Sequence, residues 1–205
     1  MNKPGNTPTM NNELRSRNLR MLAALAGLFM LPLASAFWVY YGTDWRPVRS
    51  VNHGELITPV RPLAAAHLQP VMDGAAPAEL FHRKWSLVYL GDGRCQSACR
   101  QALYVMRQTR LSLNAEMDRV DRVFLATSQC CDREFLAHEH PGLLVLDATG
   151  SAASSLLGVF PNNEREQSLF IVDPLGNLMM RYDVRQNPKG LLQDLKKLLS
   201  LSHIG

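Results

Sequence analysis

Cysteine is scarce in this chain, at four of 205 residues, and histidine is little commoner, at six. No internal repeat or low-complexity tract is visible, which sets repeat architectures aside. There is no glycine-rich phosphate loop, no Ser-His-Asp order and no acid–base pair of carboxylates, so nothing supports hydrolysis or nucleotide binding. A dominant charge is missing too. Of 22 Lys and Arg and 18 Asp and Glu, four basic residues and one acid precede residue 43, which leaves 18 against 17 in the remainder. The sequence pI of about 9.0 is therefore partly an effect of the N-terminus, and nucleic-acid binding has no support.

Charge is absent altogether from Met21 to Tyr41, MLAALAGLFMLPLASAFWVYY. About 20 apolar residues suffice for a helix to cross a hydrocarbon core, and spanning helices tolerate a proline such as Pro32. Trp38, Tyr40 and Tyr41 close the run, as rings do at a membrane–water interface. Lys3, Arg15, Arg17 and Arg20 precede it against Glu13 alone. Positive flanks stay cytoplasmic, so the main domain is expected on the exported, periplasmic side of a bacterial inner membrane. The Ala34-Ser35-Ala36 triplet also permits a cleavable signal peptide. The run is long for one and continues past the triplet, which favours an uncleaved anchor. The expected organisation is a cytoplasmic tail over 1–20, an anchor over 21–41, a proline-broken stalk over 42–83 with a short strand near Gly54–Ile57, and one domain over 84–205.

Within that domain, WSLVYLG (85–91) is a short apolar run bounded by a turn and predicts a buried strand. Residues 96–116 carry Ala98, Ala102, Leu103, Val105, Met106, Leu111 and Leu113 near helical spacing. VDRVFLAT (120–127) and GLLVLDA (142–148) predict strands, and a small-residue helix follows near 150–158. Two apolar runs around Asp173-Pro174-Leu175-Gly176-Asn177 predict a hairpin, with Gly176 at positive φ. KGLLQDLKKLLSL (189–201) predicts an amphipathic final helix. Trp85 and Tyr89 are expected in the packing of the first strand. This order is that of the thioredoxin-like α/β class, a central mixed sheet flanked by helices. Open α/β sheets place their sites at the carboxyl ends of strands, where Cys95 and Cys130 both fall.

Cys95 and Cys99 stand four apart after a Gly-Asp-Gly turn, at the expected start of a helix. Free N–H groups and the helix dipole there stabilise thiolate, and Arg94 and Arg100 add positive charge. The turn location predicts exposed thiols. Residues i and i+4 on a helix have Cβ atoms about 5–6 Å apart, whereas a disulfide wants about 3.8 Å. Closure therefore requires Cys95 to bend off the helix. Two thiolates astride Cu(I) or zinc need no such contraction, so a metal clip and a redox pair both stay open. Cys130 and Cys131 are adjacent. Across a trans peptide their Cα atoms would lie about 3.8 Å apart, below the usual disulfide minimum. Cross-pairing with Cys95 or Cys99, or extra thiolates for the same site, is the expectation.

The Cys-x-x-x-Cys helix start, the long helix 96–116, the strand 120–127 and the hairpin LFIVDPLGNLMMRYD together resemble the SCO/SenC family over roughly residues 80–200, plus the anchor. The resemblance implies a membrane-anchored, thioredoxin-like factor for copper-centre assembly in cytochrome c oxidase. It implies copper, Cu(I) or Cu(II), at Cys95 and Cys99 with a histidine just before the hairpin strand. That histidine is missing: Asn163-Glu164-Arg165-Glu166-Gln167-Ser168 stands there, and the ligand position falls near Arg165 or Gln167. Cys130, Cys131, His138 or His140 are the substitutes at hand. The expected partners are the membrane and a respiratory oxidase subunit or another copper or thiol assembly factor.

Thiol–disulfide oxidoreductases of the same fold usually carry Cys-x-x-Cys and a proline before the hairpin strand. Here the spacing is one longer and the nearest proline is Pro161. An enzyme of that class is the second reading. A non-catalytic interaction module on the same scaffold is the third.

Overall fold

The computed structural model describes residues 9–43, 52–63, 67–72, 79–202 and 204. Parts of the expected tail and stalk, including Lys3, Pro47 and Pro77, lie outside the described residues. The chain divides into two units, 1–49 and 50–205.

Among the described residues the first unit is one helix, α1 (Thr9–Gly42), with Pro32 inside it. Its Arg15–Gly42 stretch reaches a mean hydropathy of 2.0, and the helix is long and apolar enough to cross a membrane. Leu22, Phe29, Leu33 and Trp38 are all exposed, which is what a lipid-facing helix requires and a soluble core helix would not show.

The second unit is built on a seven-stranded mixed sheet. Its strands in chain order are β1 (Glu55–Pro62), β2 (Gln69–Pro70), β3 (Trp85–Gly91), β4 (Val120–Ala126), β5 (Leu144–Asp147), β6 (Ser168–Val172) and β7 (Asn177–Asp183). Across the sheet they run β1-β7-β6-β3-β4-β5-β2. β3, β4 and β5 are parallel, and β6, β7, β1 and β2 join antiparallel to their neighbours. Every residue of β3 is buried, as the unbroken apolar run predicts for a strand covered on both faces. β7 instead alternates buried and half-buried residues.

Four helices cover this sheet: α2 (Ser97–Leu111), α3 (Arg133–Glu139), α4 (Ser151–Val159) and α5 (Pro188–Leu201). One core joins Leu87, Tyr89, Phe124 and Ile171 to Leu103 and Met106 of α2, Leu136 of α3, and Leu191 and Leu195 of α5. The other joins Val88, Leu90, Val123, Leu125 and Phe170 to Ala153 and Leu156 of α4. The Asp173–Asn177 turn forms as expected. Gly176 sits at φ 84°, and Asp173 Oδ1 accepts from the N–H groups of Leu175 and Asn177 at 2.9 and 2.8 Å.

Three departures from the sequence reading are physical. First, the region expected as a stalk supplies both edge strands, and Ile57 enters the second core. Only one of the eight β1 residues is buried, and Pro59 and Pro62 are tolerated because this is an edge. Its entry is clasped to α5: the Asp194 carboxylate accepts from His53 N at 2.7 Å, Gly54 N at 3.1 Å and Tyr182 Oη, and also meets His53 Nδ1 at 3.0 Å. Second, the helix expected over 96–116 stops at Leu111 and a 3₁₀ turn, Asn114–Arg119, follows, with Asn114 at φ 53°. Third, α3 was not anticipated between β4 and β5.

Candidate functional site

β3 and β4 are parallel neighbours with Gly91 opposite Ala126, so their outgoing loops leave one sheet edge side by side. The first loop carries Cys95 and the second carries Cys130 and Cys131. Both pairs converge on that edge, as expected from the sequence.

The two loops are pinned together. Gly93 N donates to Ser128 Oγ at 3.0 Å, and the Ser128 hydroxyl donates to Asp92 Oδ1. The same carboxylate accepts from Arg94 N at 2.9 Å and from the Arg94 guanidinium at 2.9 and 3.1 Å. The Arg94 N–H first, then the Ser128 hydroxyl and the Arg94 guanidinium, hold the Asp92 carboxyl well below the usual carboxylate range. Gly93 has no room for a side chain. A Cβ there would lie 2.6 Å from the Gln129 carbonyl oxygen and 2.7 Å from Cys130 Cα.

Cys95 precedes the helix, at φ 47°, with its N–H on the Asp92 carbonyl at 3.0 Å. α2 begins at Ser97, so Cys99 is its third residue. Cys95 has thus bent off the helix, as closure demands, and the Cα atoms stand 4.9 Å apart with the two sulfurs joined. A left-handed backbone at a residue bearing a Cβ costs roughly 1–2 kcal/mol, which the surrounding loop must sustain. The thiols are not exposed, contrary to what the turn location predicts. Cys95 is 1% and Cys99 4% exposed, because α2 packs against β3, β4 and the 3₁₀ turn Arg165–Gln167.

Cys130 and Cys131 are half-buried and are linked by a cis peptide, not the trans one assumed from the sequence, with Cα atoms 3.2 Å apart. Cys95 and Cys99 pair with each other, so the expected cross-pairing of Cys130 or Cys131 with either of them is not the arrangement found. Cys130 and Cys131 pack on the same apolar cluster that contains Cys95 and Cys99. With Arg94, Ser128, Gln129 and Asp132 they line a cleft of about 590 Å³.

Arg100 is a second staple between the segments. Its Nε donates to the Cys95 carbonyl at 3.3 Å, its Nη2 meets Asp132 Oδ2 at 3.5 Å, and its guanidinium lies 4.2 Å above the Phe135 ring. Asp132 in turn caps α3, accepting from Phe135 N at 3.1 Å. The sequence marks Arg100 only as a positive charge. Asp92, Gly93 and Ser128 had a readable signal: they follow two consecutive parallel strands and so must face each other.

The histidines do not join the sulfurs. His138 is exposed and pairs with Glu139 at 3.0 Å. His140 is buried at the C-terminus of α3, 5.2 Å from the Phe135 ring, with Nδ1 unpartnered among the described residues. Burial, with Arg122 and Arg107 nearby, lowers its pKa to about 4. It is packed rather than solvated. Arg165, near the position where the family resemblance places a ligand, instead holds three carbonyls at the end of α4: Leu157 O at 2.8 Å, Pro161 O at 2.8 Å and Phe160 O. No group of three His, Cys, Asp or Glu side chains converges as a metal cage among the described residues. Trp85 and Tyr89 are buried as expected, and Tyr89 Oη donates to the Glu166 carbonyl at 3.0 Å.

The family model of a transmembrane-like, thioredoxin-like, C-terminal domain matches residues 85–202. No curated protein matches the chain. Among solved structures, yeast Sco1 with copper bound is 17% identical, covering 69% of this chain and 94% of its own, with a TM-score of 0.57. BsSco, whose structure identified a disulfide switch in a member of the Sco family of cytochrome c oxidase assembly proteins, is 16% identical, covering 69% of this chain and 96% of its own, with a TM-score of 0.50. The thioredoxin domain of a thiol-disulfide oxidoreductase from Bacteroides vulgatus is 14% identical, covering 68% of this chain and 97% of its own, also at 0.50. Identities this low establish a shared thioredoxin-like fold.

Proposed function

Since the chain belongs to the family of transmembrane-like, thioredoxin-like C-terminal domains, we propose that it is a membrane-anchored thiol–disulfide factor serving cytochrome c oxidase assembly. In this reading Cys95 and Cys99 reduce a client disulfide to the thiols that will receive copper. The Arg15, Arg17 and Arg20 flank keeps the N-terminus cytoplasmic and the sulfurs on the exported side. The observation that carries the reading is the Cys95–Cys99 pair, joined where Cys95 leaves the helix start, with no third ligand beside it among the described residues. Two sulfurs suffice for electron exchange. The oxidase assembly role is supported by the shared fold with BsSco, and the exchange chemistry by the shared fold with the Bacteroides oxidoreductase.

In the step, thiol–disulfide exchange opens a client disulfide and joins Cys95 to Cys99. Two electrons and two protons pass to the client, and the Cys95–Cys99 disulfide remains. A dithiol reductant resets it. The full chain in detergent is equilibrated in glutathione buffers and its thiols are alkylated and weighed. A midpoint between those of glutaredoxins and DsbA, roughly −230 to −120 mV, is the expected result. A pair that never changes state across that range overturns the reading.

Copper handling is the second reading. It is favoured by the two soft sulfurs and by the shared fold with yeast Sco1, solved with copper bound. Here Cu(I) is cargo, held by reduced Cys95 and Cys99. Reduced full chain that fails to hold Cu(I) against a competing chelator removes this reading and leaves the redox one standing.

A further inference from the structure

The redox reading leaves a steric problem. Cys95 and Cys99 are almost wholly covered, at 1% and 4% exposure, so a client disulfide has no direct approach to either sulfur. The other cysteine pair has the opposite character. Cys130 and Cys131 are half-buried and line the open cleft of about 590 Å³ at the same sheet edge. One side of that pair faces solvent, and the other packs on the apolar cluster that holds Cys95 and Cys99.

We propose that Cys130 and Cys131 are the client-facing half of an internal dithiol relay whose second half is Cys95–Cys99. The inference rests on the redox reading above and supplies its route. Three features carry it. The loops are in direct backbone apposition at Gly93 and Cys130. They are pinned by the Asp92–Ser128 and Arg100–Asp132 contacts, which hold the segments together without a covalent link. Lastly, Cys130 and Cys131 line the open cleft while Cys95 and Cys99 are covered.

The chemistry balances as three exchanges. A thiolate of Cys130 or Cys131 attacks the client disulfide, and the neighbouring thiol releases the client as a dithiol, leaving Cys130 and Cys131 joined. One of the Cys95 and Cys99 thiolates attacks that bond and forms an inter-loop mixed disulfide. The remaining Cys95 or Cys99 thiolate resolves it. Cys130 and Cys131 are then reduced again, Cys95–Cys99 is oxidised, and the client has gained two electrons and two protons. An external dithiol reductant regenerates Cys95 and Cys99 through the accessible pair, by reversal of the inter-loop exchanges.

The test uses the reduced full chain in detergent with oxidised glutathione as the disulfide probe. Loss of thiols is followed by alkylation and peptide mapping. The relay predicts that Cys130→Ala/Cys131→Ala slows formation of the Cys95–Cys99 disulfide at least tenfold. It also predicts that removing the resolving thiol, in Cys95→Ser or Cys99→Ser, traps a cross-link between the remaining thiol of that pair and Cys130 or Cys131. A second measurement needs no variant: in the native reduced protein, iodoacetamide should label Cys130 and Cys131 at least tenfold faster than Cys95 and Cys99. Cys95–Cys99 forming at the wild-type rate in the double variant, with no inter-loop cross-link in Cys95→Ser or Cys99→Ser, overturns the relay and spares the redox reading. A wild-type chain that leaves oxidised glutathione untouched overturns both. Equal labelling of all four thiols also overturns the relay.

Discussion

Replacing Gly93 by alanine tests the apposition of the two cysteine loops directly. The added Cβ would meet the Gln129 carbonyl oxygen at 2.6 Å, and Cys130 Cα and the Ser128 carbonyl oxygen at 2.7 Å, all of them backbone atoms that no rotamer change can clear. Carbon atoms rest at about 3.5 Å or more, so the loops must separate by roughly 0.8 Å. The same retreat stretches the 3.0 Å bond from Gly93 N to Ser128 Oγ beyond hydrogen-bonding range. Overpacking of this kind costs about 1–3 kcal/mol and the lost bond about 1 kcal/mol more. The sum, about 2–4 kcal/mol, is a large share of the stability of a domain of this size. The assay is denaturant unfolding of the full chain in detergent, read as a fall in midpoint at constant slope. Gly150→Ala is the control, because a Cβ there meets nothing within 4 Å. A Gly93→Ala midpoint within about 0.5 kcal/mol of wild type would refute the apposition, since ordinary surface substitutions stay inside that band.

Asp92→Asn removes a carboxylate whose pKa lies below its ordinary value, so its contribution is complete above the unfolded carboxylate pKa of about 3.9. The gap between wild type and variant should narrow as pH falls below that point, measured as unfolding midpoints from pH 7 to pH 3. His140 has its pKa lowered to about 4, so between that value and about 6.5 the unfolded chain binds more protons and stability rises with pH. His140→Phe should flatten this slope, worth at most about 3 kcal/mol, and a slope that persists unchanged assigns the effect to another group. Arg100→Ala loses the Phe135 ring contact and the bond to the Cys95 carbonyl. It should cost about 1–2 kcal/mol with only partial rescue by lysine, whose ammonium lacks the planar fork.

The fold was legible where apolar periodicity is strong. WSLVYLG gave β3 to the residue, and the aspartate–glycine turn chemistry located the β6–β7 hairpin. The edge strands were not legible. β1 buries Ile57 alone and carries two prolines, so nothing in its composition separates it from a linker until β7 is present to pair with it. α3 is a seven-residue helix, too short for a periodic signal, and its only sequence mark is the cap at Asp132. At the site, the convergence of both cysteine pairs followed from strand order. Their separate burial did not, because it depends on how α2 and its preceding loop pack into the core, a tertiary matter.

Arg165 constrains how this scaffold could be re-equipped. A histidine grafted at 165 would strip the carbonyls of Leu157, Phe160 and Pro161 of their shared donor before it approached any sulfur. The end of α4 would fray as the imidazole arrived. Gln167, two residues on, has no side-chain hydrogen bond among the described residues and is the cheaper berth for an imidazole. Gain-of-function engineering toward a three-ligand copper protein should therefore begin at 167 and leave the arginine latch untouched.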